Sequence, residues 1–127
     1  VLEGVSFGLN DSLELMRDLG VNPKKIVLSG GGARSTLWKQ MLADVFSSRC
    51  TMVNALEGAA YGAAVLSAVG SGAFASVEDA CDQWIRQTEA VEPSDESPSY
   101  EKFYSIYRSL YPSLQDTFRS LADDASA

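Results

Sequence analysis

Much of the chain carries the spacing of amphipathic helices. Apolar residues recur at intervals of three and four from Leu2 to Leu19 and again from Leu37 to Phe46, which places them on one face of a helix. Ser35 or Thr36 is suited to cap the second of these helices, and Ser76 a later one. The pattern predicts helices over residues 2–19, 37–46, 57–69, 76–85 and 100–121.

Two short, mostly apolar runs between these helices predict strands, at Ile26–Leu28 and Cys50–Val53. The helix that joins them implies a parallel pair with a right-handed crossover. Two strands do not form a stable sheet, and no further strand is evident. The polar stretch Gln87–Pro98 contains two prolines and predicts a surface loop. We therefore expect an α/β fold with parallel strands, flanking helices and a helical C-terminus.

Two features are expected to interrupt or shorten the last predicted helix. Pro112 lies inside it and is expected to kink or split it. Residues 123–127 are small or acidic and should fray.

The string LSGGGARSTLW at residues 28–38 places three glycines between a predicted strand and a predicted helix. Glycine lets a ligand touch the backbone, and a helix N-terminus attracts anions, so the string favours a nucleotide or another anion. A tight turn that binds nothing is the alternative. The string lacks the GxxxxGK[ST] of a P-loop. It also fits a dinucleotide fingerprint poorly, because Ser35 replaces the third glycine and Val53-Asn54 stands where an acid should hold the ribose.

A second stretch, EGAAYGAAVLSAVGSG at residues 57–72, presents little side chain on much of its surface. Gly58 and Gly62 lie four residues apart in it, so another backbone or a flat ligand can come close. Close packing of this helix on a sheet is the simpler interpretation, and ligand contact is the alternative.

The composition of the chain argues against several classes of function. The 127 residues include 10 Lys and Arg against 17 Asp and Glu, for a net charge of −7, which opposes binding to nucleic acid and to anionic membranes. The sequence contains no histidine, which excludes Ser/His and Cys/His mechanisms within this chain. Cys50 and Cys81 fit no zinc spacing and predict reduced thiols in a cytoplasmic protein.

The apolar runs predict neither a membrane helix nor a secretory signal. No run reaches 18 apolar residues, and residues 1–4 lack the basic and apolar regions of a signal peptide. The sequence begins at Val1 inside a helical pattern, so we expect it to be a fragment of a longer protein.

Four segments together resemble the C-terminal domain of the FGGY family of carbohydrate kinases. They are LEGVSFGL at 2–9, SGGGARSTLWKQMLADVF at 29–46, EGAAYGAAVLSAVG at 57–70 and YRSLYPSL at 107–114. The resemblance implies a ribonuclease-H-like domain of the actin-like ATPase superfamily, in which two such domains enclose ATP and sugar. It implies that residues 1–127 are the C-terminal part of the second domain, with the N-terminal domain absent.

The resemblance also implies a nucleotide site. The family's adenosine motif corresponds here to Gly30, Gly31, Gly32 and Ala33. Thr36 matches a polar position that contacts the nucleotide in relatives, some of which carry Asn there. A bulky residue at Gly32 is expected to fill the pocket, which the small-residue helix shares, and to suffer the positive-φ penalty. No catalytic or metal-binding residue is assigned, because the family's catalytic Asp, phosphate loops and sugar site lie upstream of the matched region.

The implied activity is phosphorylation of a sugar by ATP with Mg²⁺. The strings ARSTLWKQMLADV, TEAVEP and YRSLYPSL are most similar to members that convert D-xylulose to D-xylulose 5-phosphate. Gluconate and ribulose kinases of the family are alternatives, and a non-catalytic packing module is the alternative from another class. The expected partners are ATP or ADP and the sugar. This chain alone should be inactive, and its unfinished sheet edge favours a homo-oligomer or association with a missing part of the chain.

Overall fold

The chain forms a small mixed sheet with helices on both faces. The computed structural model describes residues 1–55 and 57–124. Its helices are α1 (Leu2–Asp18), α2 (Thr36–Val45), α3 (Gly58–Gly70), α4 (Val77–Trp84) and α5 (Ser97–Asp124). Its strands are β1 (Ile26–Leu28), β2 (Cys50–Val53) and β3 (Gln87–Val91), and a 3₁₀ turn covers Gly31–Arg34. Within the described ranges, no helix combines the length and the apolar character needed to cross a membrane.

The predicted parallel pair of strands is confirmed. Ile26 of β1 pairs with Cys50 of β2, and Leu28 pairs with Met52. Side chains alternate along β1, so Ile26 and Leu28 pack against the main core, whereas Val27 faces a depression that α3 also lines. The two faces of the sheet therefore carry different helices.

A third strand corrects the prediction of a surface loop at Gln87–Pro98. Residues Gln87–Val91 pair antiparallel with β2, with Ala90 opposite Thr51, and complete a sheet in the order β1-β2-β3. Every residue of β3 except Val91 is exposed. The strand therefore lacks the apolar alternation by which a strand is usually predicted.

Polar contacts from α2 hold β3 in place. The buried ammonium of Lys39 pairs with the carboxylate of Glu89. The next residue of α2, Gln40, donates from Nε2 to the carbonyl oxygen of Glu92, just after β3, at 3.0 Å. These anchors lie some 50 residues before the strand in sequence, so no local pattern could reveal them.

The main core lies between α1, α2 and one face of the sheet. Its buried residues are Phe7, Leu13, Met41, Leu42, Ala43, Val45, Phe46 and Cys50. The first half of α5 adds Tyr100, Tyr104 and Tyr107, whose rings lie 5.4–6.3 Å from that of Phe7. Each such pair contributes about 0.5–1.5 kcal/mol beyond burial, so Phe7 fixes α5 on α1.

Helix α5 runs through Pro112 without a break, so the predicted split is wrong. A proline removes only one backbone donor, and long helical stretches on both sides preserve the rest. The helix also begins at Ser97 rather than Tyr100, because Pro98 is tolerated in a first turn, where its missing N–H is not needed. Of the five last residues predicted to fray, Asp123 and Asp124 end α5, and residues 125–127 lie outside the described residues.

Candidate functional site

The three glycines form the connection from the carboxyl end of β1 into α2. Instead of an irregular loop, Gly31–Arg34 forms a 3₁₀ turn, in which the N–H of Ala33 donates to the carbonyl of Gly30 at 3.2 Å. Gly30 has φ 82° and ψ −176°, a conformation that is essentially restricted to glycine. The backbone path therefore requires the first glycine.

A different contact requires Gly32. Its φ is not in the positive range that Gly30 occupies, so the positive-φ penalty expected at Gly32 is wrong. A Cβ on Gly32 would lie 2.2 Å from Cζ3 of Trp38, far inside van der Waals contact. Trp38 is placed there by α2, whose predicted cap is confirmed: the Oγ of Ser35 accepts the N–H of Trp38 at 3.3 Å.

The outer surface of the turn is bare backbone. A Cβ placed on Gly30 or Gly31 would meet no atom within 4 Å beyond its chain neighbours. Ala33 faces inward and is 8% exposed. Thr36, the first residue of α2, is exposed. The turn thus offers a ligand the peptide groups around Gly30 and Gly31.

Helix α3 and the turn are the two walls of the candidate site. A depression of about 380 Å³ is lined by Ser29, which precedes the turn, and by Gly58 and Gly62 of α3. A Cβ on either of these helical glycines would also meet no atom within 4 Å. The rest of the lining is mostly apolar: Val27, Val53, Ala55, Tyr61, Val65, Leu66, Val77, Cys81 and Ile85. Such a surface suits a flat apolar group better than a charged one.

A smaller depression of about 290 Å³ is also lined by Ser29, here with Gly32, Ala33 and Trp38. Ser29 therefore borders both depressions, although sequence reasoning did not select it. Thr36 lines neither of them. Gly58 and Gly62 line only the larger depression, and Gly32 and Ala33 only the smaller one, whereas Gly30 and Gly31 line neither. The single pocket expected between the glycine turn and the small-residue helix is therefore two depressions that meet at Ser29.

An ion pair connects the two walls. Arg34 Nη2, on the turn, lies 3.1 Å from Oε1 of Glu57, the residue before α3. The two side chains are 62% and 79% exposed, so the pair contributes about 0–1 kcal/mol. Sequence reasoning missed it, because the partners are 23 residues apart and no local pattern marks either one.

Asn54, which follows β2, is engaged by the backbone. Its Nδ2 donates to the carbonyl of Trp84 at 2.8 Å, and its Oδ1 accepts the N–H of Arg86 at 2.8 Å. The hydroxyl of Tyr61 donates to the same carbonyl of Trp84. These bonds fasten α3 and β2 to the end of α4 and hold the side chain of Tyr61 in place where it lines the larger depression.

The groups with displaced pKa values lie away from the turn. Cys50 and Cys81 are free, and burial raises the pKa of the Cys50 thiol to about 11, which keeps it neutral and unreactive. Burial, followed by the hydrogen bond that the hydroxyl donates to Asp11, raises the pKa of Tyr104 to about 12. Neither group indicates acid–base chemistry near neutral pH.

In the described part of the chain, no three carboxylate or thiol side chains come together in a way that could hold a metal ion. Glu57, the acid beside the turn, is already paired with Arg34. These side chains do not fit a Mg²⁺ site, so the metal that the resemblance implies is not assigned to this chain.

Known proteins match the chain over most of its length. Xylulose kinase of Bacillus subtilis is 37% identical over 117 residues, which are 91% of this chain and 23% of that protein. Gluconokinase of Bacillus licheniformis is 29% identical over 124 residues, 96% of this chain and 24% of that protein. The crystal structure of xylulose kinase from Rhodospirillum rubrum matches with a TM-score of 0.75 and 29% identity, over 93% of this chain and 24% of that one.

These matches confirm the expected fold class, an α/β domain of the actin-like ATPase type. The chain spans about a quarter of the length of the relatives it matches. Residues 1–71, more than half of the sequence, match the model of the FGGY family of carbohydrate kinases, C-terminal domain. The chain therefore belongs to the FGGY family of carbohydrate kinases.

Proposed function

We propose that this chain is the C-terminal part of the second domain of a longer sugar kinase and that it binds the nucleoside of ATP. The proposed contact residues are Gly30, Gly31, Gly32, Ala33 and Thr36. The observation that carries the proposal is the empty space over Gly30 and Gly31. It lies at the carboxyl end of a parallel strand, where open α/β sheets bind ligands.

In this proposal, two surfaces contact different parts of the nucleotide. The peptide groups at Gly30 and Gly31 approach the ribose and the α-phosphate, because no side chain stands in front of them. The apolar depression along Gly58 and Gly62 of α3 offers a flat surface to the adenine base. Thr36 contributes from the rim, since its side chain is exposed at the start of α2.

The reaction proposed for the whole kinase transfers the γ-phosphoryl group of ATP to a sugar hydroxyl and releases ADP. A base, phosphate-binding loops and Mg²⁺ are required, and we assign none of them to this chain. We propose D-xylulose as the sugar and D-xylulose 5-phosphate as the product, supported by the similarity to xylulose kinases. Gluconate is the second candidate, because a gluconokinase aligns with 96% of the chain. A cytoplasmic location and a homo-oligomeric state stay predictions.

A nucleotide titration tests the site. Gly31→Val places a side chain in the open space over the turn without a positive-φ penalty or a clash. In the full-length kinase it should weaken ADP binding by about tenfold or more, equivalent to at least 1.4 kcal/mol. Gly70→Ala, at the far end of α3 and also in open space, is the matched control. Equal ADP affinity for wild type and Gly31→Val would remove the turn from the nucleotide site.

Turnover measurements test the sugar. The full-length kinase should show a higher kcat/KM with D-xylulose than with gluconate in an ADP-release assay, and the 127-residue chain should show no turnover. A preference for gluconate would select the second candidate, and turnover by the short chain would refute the division of roles proposed here.

A further inference from the structure

We propose that Trp38 is a positioning residue for nucleotide binding: its indole holds the 3₁₀ turn in the shape that the nucleoside contacts. The proposal rests on the proposed nucleotide site. It concerns a side chain on the inner side of the turn, which touches the turn rather than the nucleotide.

The first step is the contact between the indole and the turn. A Cβ on Gly32 would lie 2.2 Å from Cζ3, 2.6 Å from Cε3 and 3.2 Å from Cη2 of Trp38. The six-membered ring therefore lies directly against the backbone of Gly32, on the side where any other residue would carry a side chain. The position of the ring consequently limits how far the turn can move inward.

The second step is the fixation of the indole from its other edge. Nε1 of Trp38 donates to Oγ of Ser6 at 3.1 Å, and that hydroxyl donates to the carbonyl of Leu2 at 3.0 Å. Ser6 is completely buried in α1, so this short chain of hydrogen bonds is shielded from water and holds one ring orientation. The turn is thereby connected to α1 through a single side chain.

The third step is the link to the exit of the turn. The N–H of Trp38 donates to Oγ of Ser35 at 3.3 Å, and the N–H of Ser35 donates to the carbonyl of Gly32 at 3.0 Å. Backbone and side chain of Trp38 thus fix both the end and the middle of the same turn. A nucleoside bound to the outer surface would therefore contact a backbone that is already fixed in position. Such preorganisation favours tight binding by peptide groups.

The test uses Trp38→Phe and Ser6→Ala in the full-length kinase. Trp38→Phe removes the Nε1 donor and part of the ring, and Ser6→Ala removes only the hydrogen-bond partner. We expect ADP to bind about tenfold more weakly to Trp38→Phe and about threefold more weakly to Ser6→Ala, with the KM for the sugar changed less than about twofold. Phe118→Leu is the control, because Phe118 lies half-exposed on α5, stacked on Tyr111, and lines neither depression beside the turn.

A spectroscopic measurement separates positioning from mere packing. With 5-fluorotryptophan incorporated, the ¹⁹F resonance that disappears in Trp38→Phe should shift in the wild type when ADP is added. Ser6→Ala keeps the proposal testable if Trp38→Phe does not fold. Unchanged ADP affinity in both variants, or an unmoved Trp38 resonance at saturating ADP, would overturn the proposal while leaving the nucleotide site intact. A wild-type kinase that does not bind ADP would instead refute the proposed function itself.

Discussion

The two glycine-bearing segments beside the site use glycine for different reasons. In the turn, Gly30 is needed for a backbone conformation and Gly32 for contact with an indole. In α3, Gly58 and Gly62 have ordinary helical dihedral angles and open space where a Cβ would lie. The turn is therefore constrained from within, whereas the helix gains no structural benefit from its glycines.

This difference separates structural glycines from candidate ligand contacts. A glycine with positive φ or a blocked Cβ is explained by the fold, so its presence says nothing about a ligand. A glycine in open space with ordinary φ, such as Gly31 or Gly62, is unexplained by the fold and costs helix stability when it lies inside a helix. Such positions are where a ligand explanation carries weight.

The largest expected effect is at Gly32. Gly32→Val forces the new side chain into the indole of Trp38 and should lower the free energy of unfolding by about 3 kcal/mol. Urea denaturation measures it, and Gly31→Val serves as the control that should lose much less. Adding Trp38→Leu should restore part of the loss. If the double variant loses as much free energy of unfolding as the two single variants together, or more, the clash is not the cause.

The second-largest effect on stability is expected at Gly30. Gly30→Ala places a side chain at φ 82° and ψ −176° and should cost about 2 kcal/mol, because this conformation is essentially limited to glycine. Gly30→Asn should cost as much, since asparagine tolerates the left-handed region only near ψ of about +50°. Thermal unfolding of both variants checks this, and rescue by asparagine would show that the backbone conformation has been misassigned.

At Gly62 stability and binding should change in opposite directions. Gly62→Ala removes a flexible residue from the interior of α3 and should raise the free energy of unfolding by about 0.5–1 kcal/mol. The same methyl group enters the depression that α3 lines and should weaken ADP binding. Denaturation and calorimetric titration of one variant measure both quantities. A variant that is more stable and binds ADP as well as the wild type would make the α3 surface a packing surface only.

The smallest effect is expected where the two segments meet. Arg34→Ala or Glu57→Gln removes an ion pair between exposed side chains and should change the free energy of unfolding by less than about 1 kcal/mol. The difference between variant and wild type should shrink further in 0.5 M salt, because exposed charges are screened. A larger loss of unfolding free energy that persists in salt would mean that the turn and α3 depend on this ion pair for their relative position.

The sequence predicted those parts of the fold that local chemistry decides. Ser35 and Ser76 accept N–H groups at the starts of α2 and α4, as the cap pattern indicates. The parallel pairing of β1 and β2 follows from a strand, a helix and a strand in succession. The same reasoning identified Gly30 to Ala33 as the feature to explain, although it assigned the conformational demand to Gly32 instead of Gly30.

The remainder depended on partners distant in sequence. β3 was missed because most of its residues are exposed and show no apolar alternation, while its support comes from Lys39 and Gln40 on α2. Trp38 was not singled out from the sequence, since only the folded chain shows Gly32 against its ring. Such contacts leave no periodic signal, so they become visible only once the elements are assembled.

The polar attachment of β3 has a consequence for the order of folding. β1, α2 and β2 are contiguous and share the apolar core, whereas β3 can pair with β2 only after the chain has closed around α3 and α4. Closing that loop costs entropy that few buried apolar contacts of β3 offset. We therefore expect β3 to join last and detach first, so that the amide protons of Gln87–Val91 exchange with solvent well before those of Cys50–Val53 on the side facing β1.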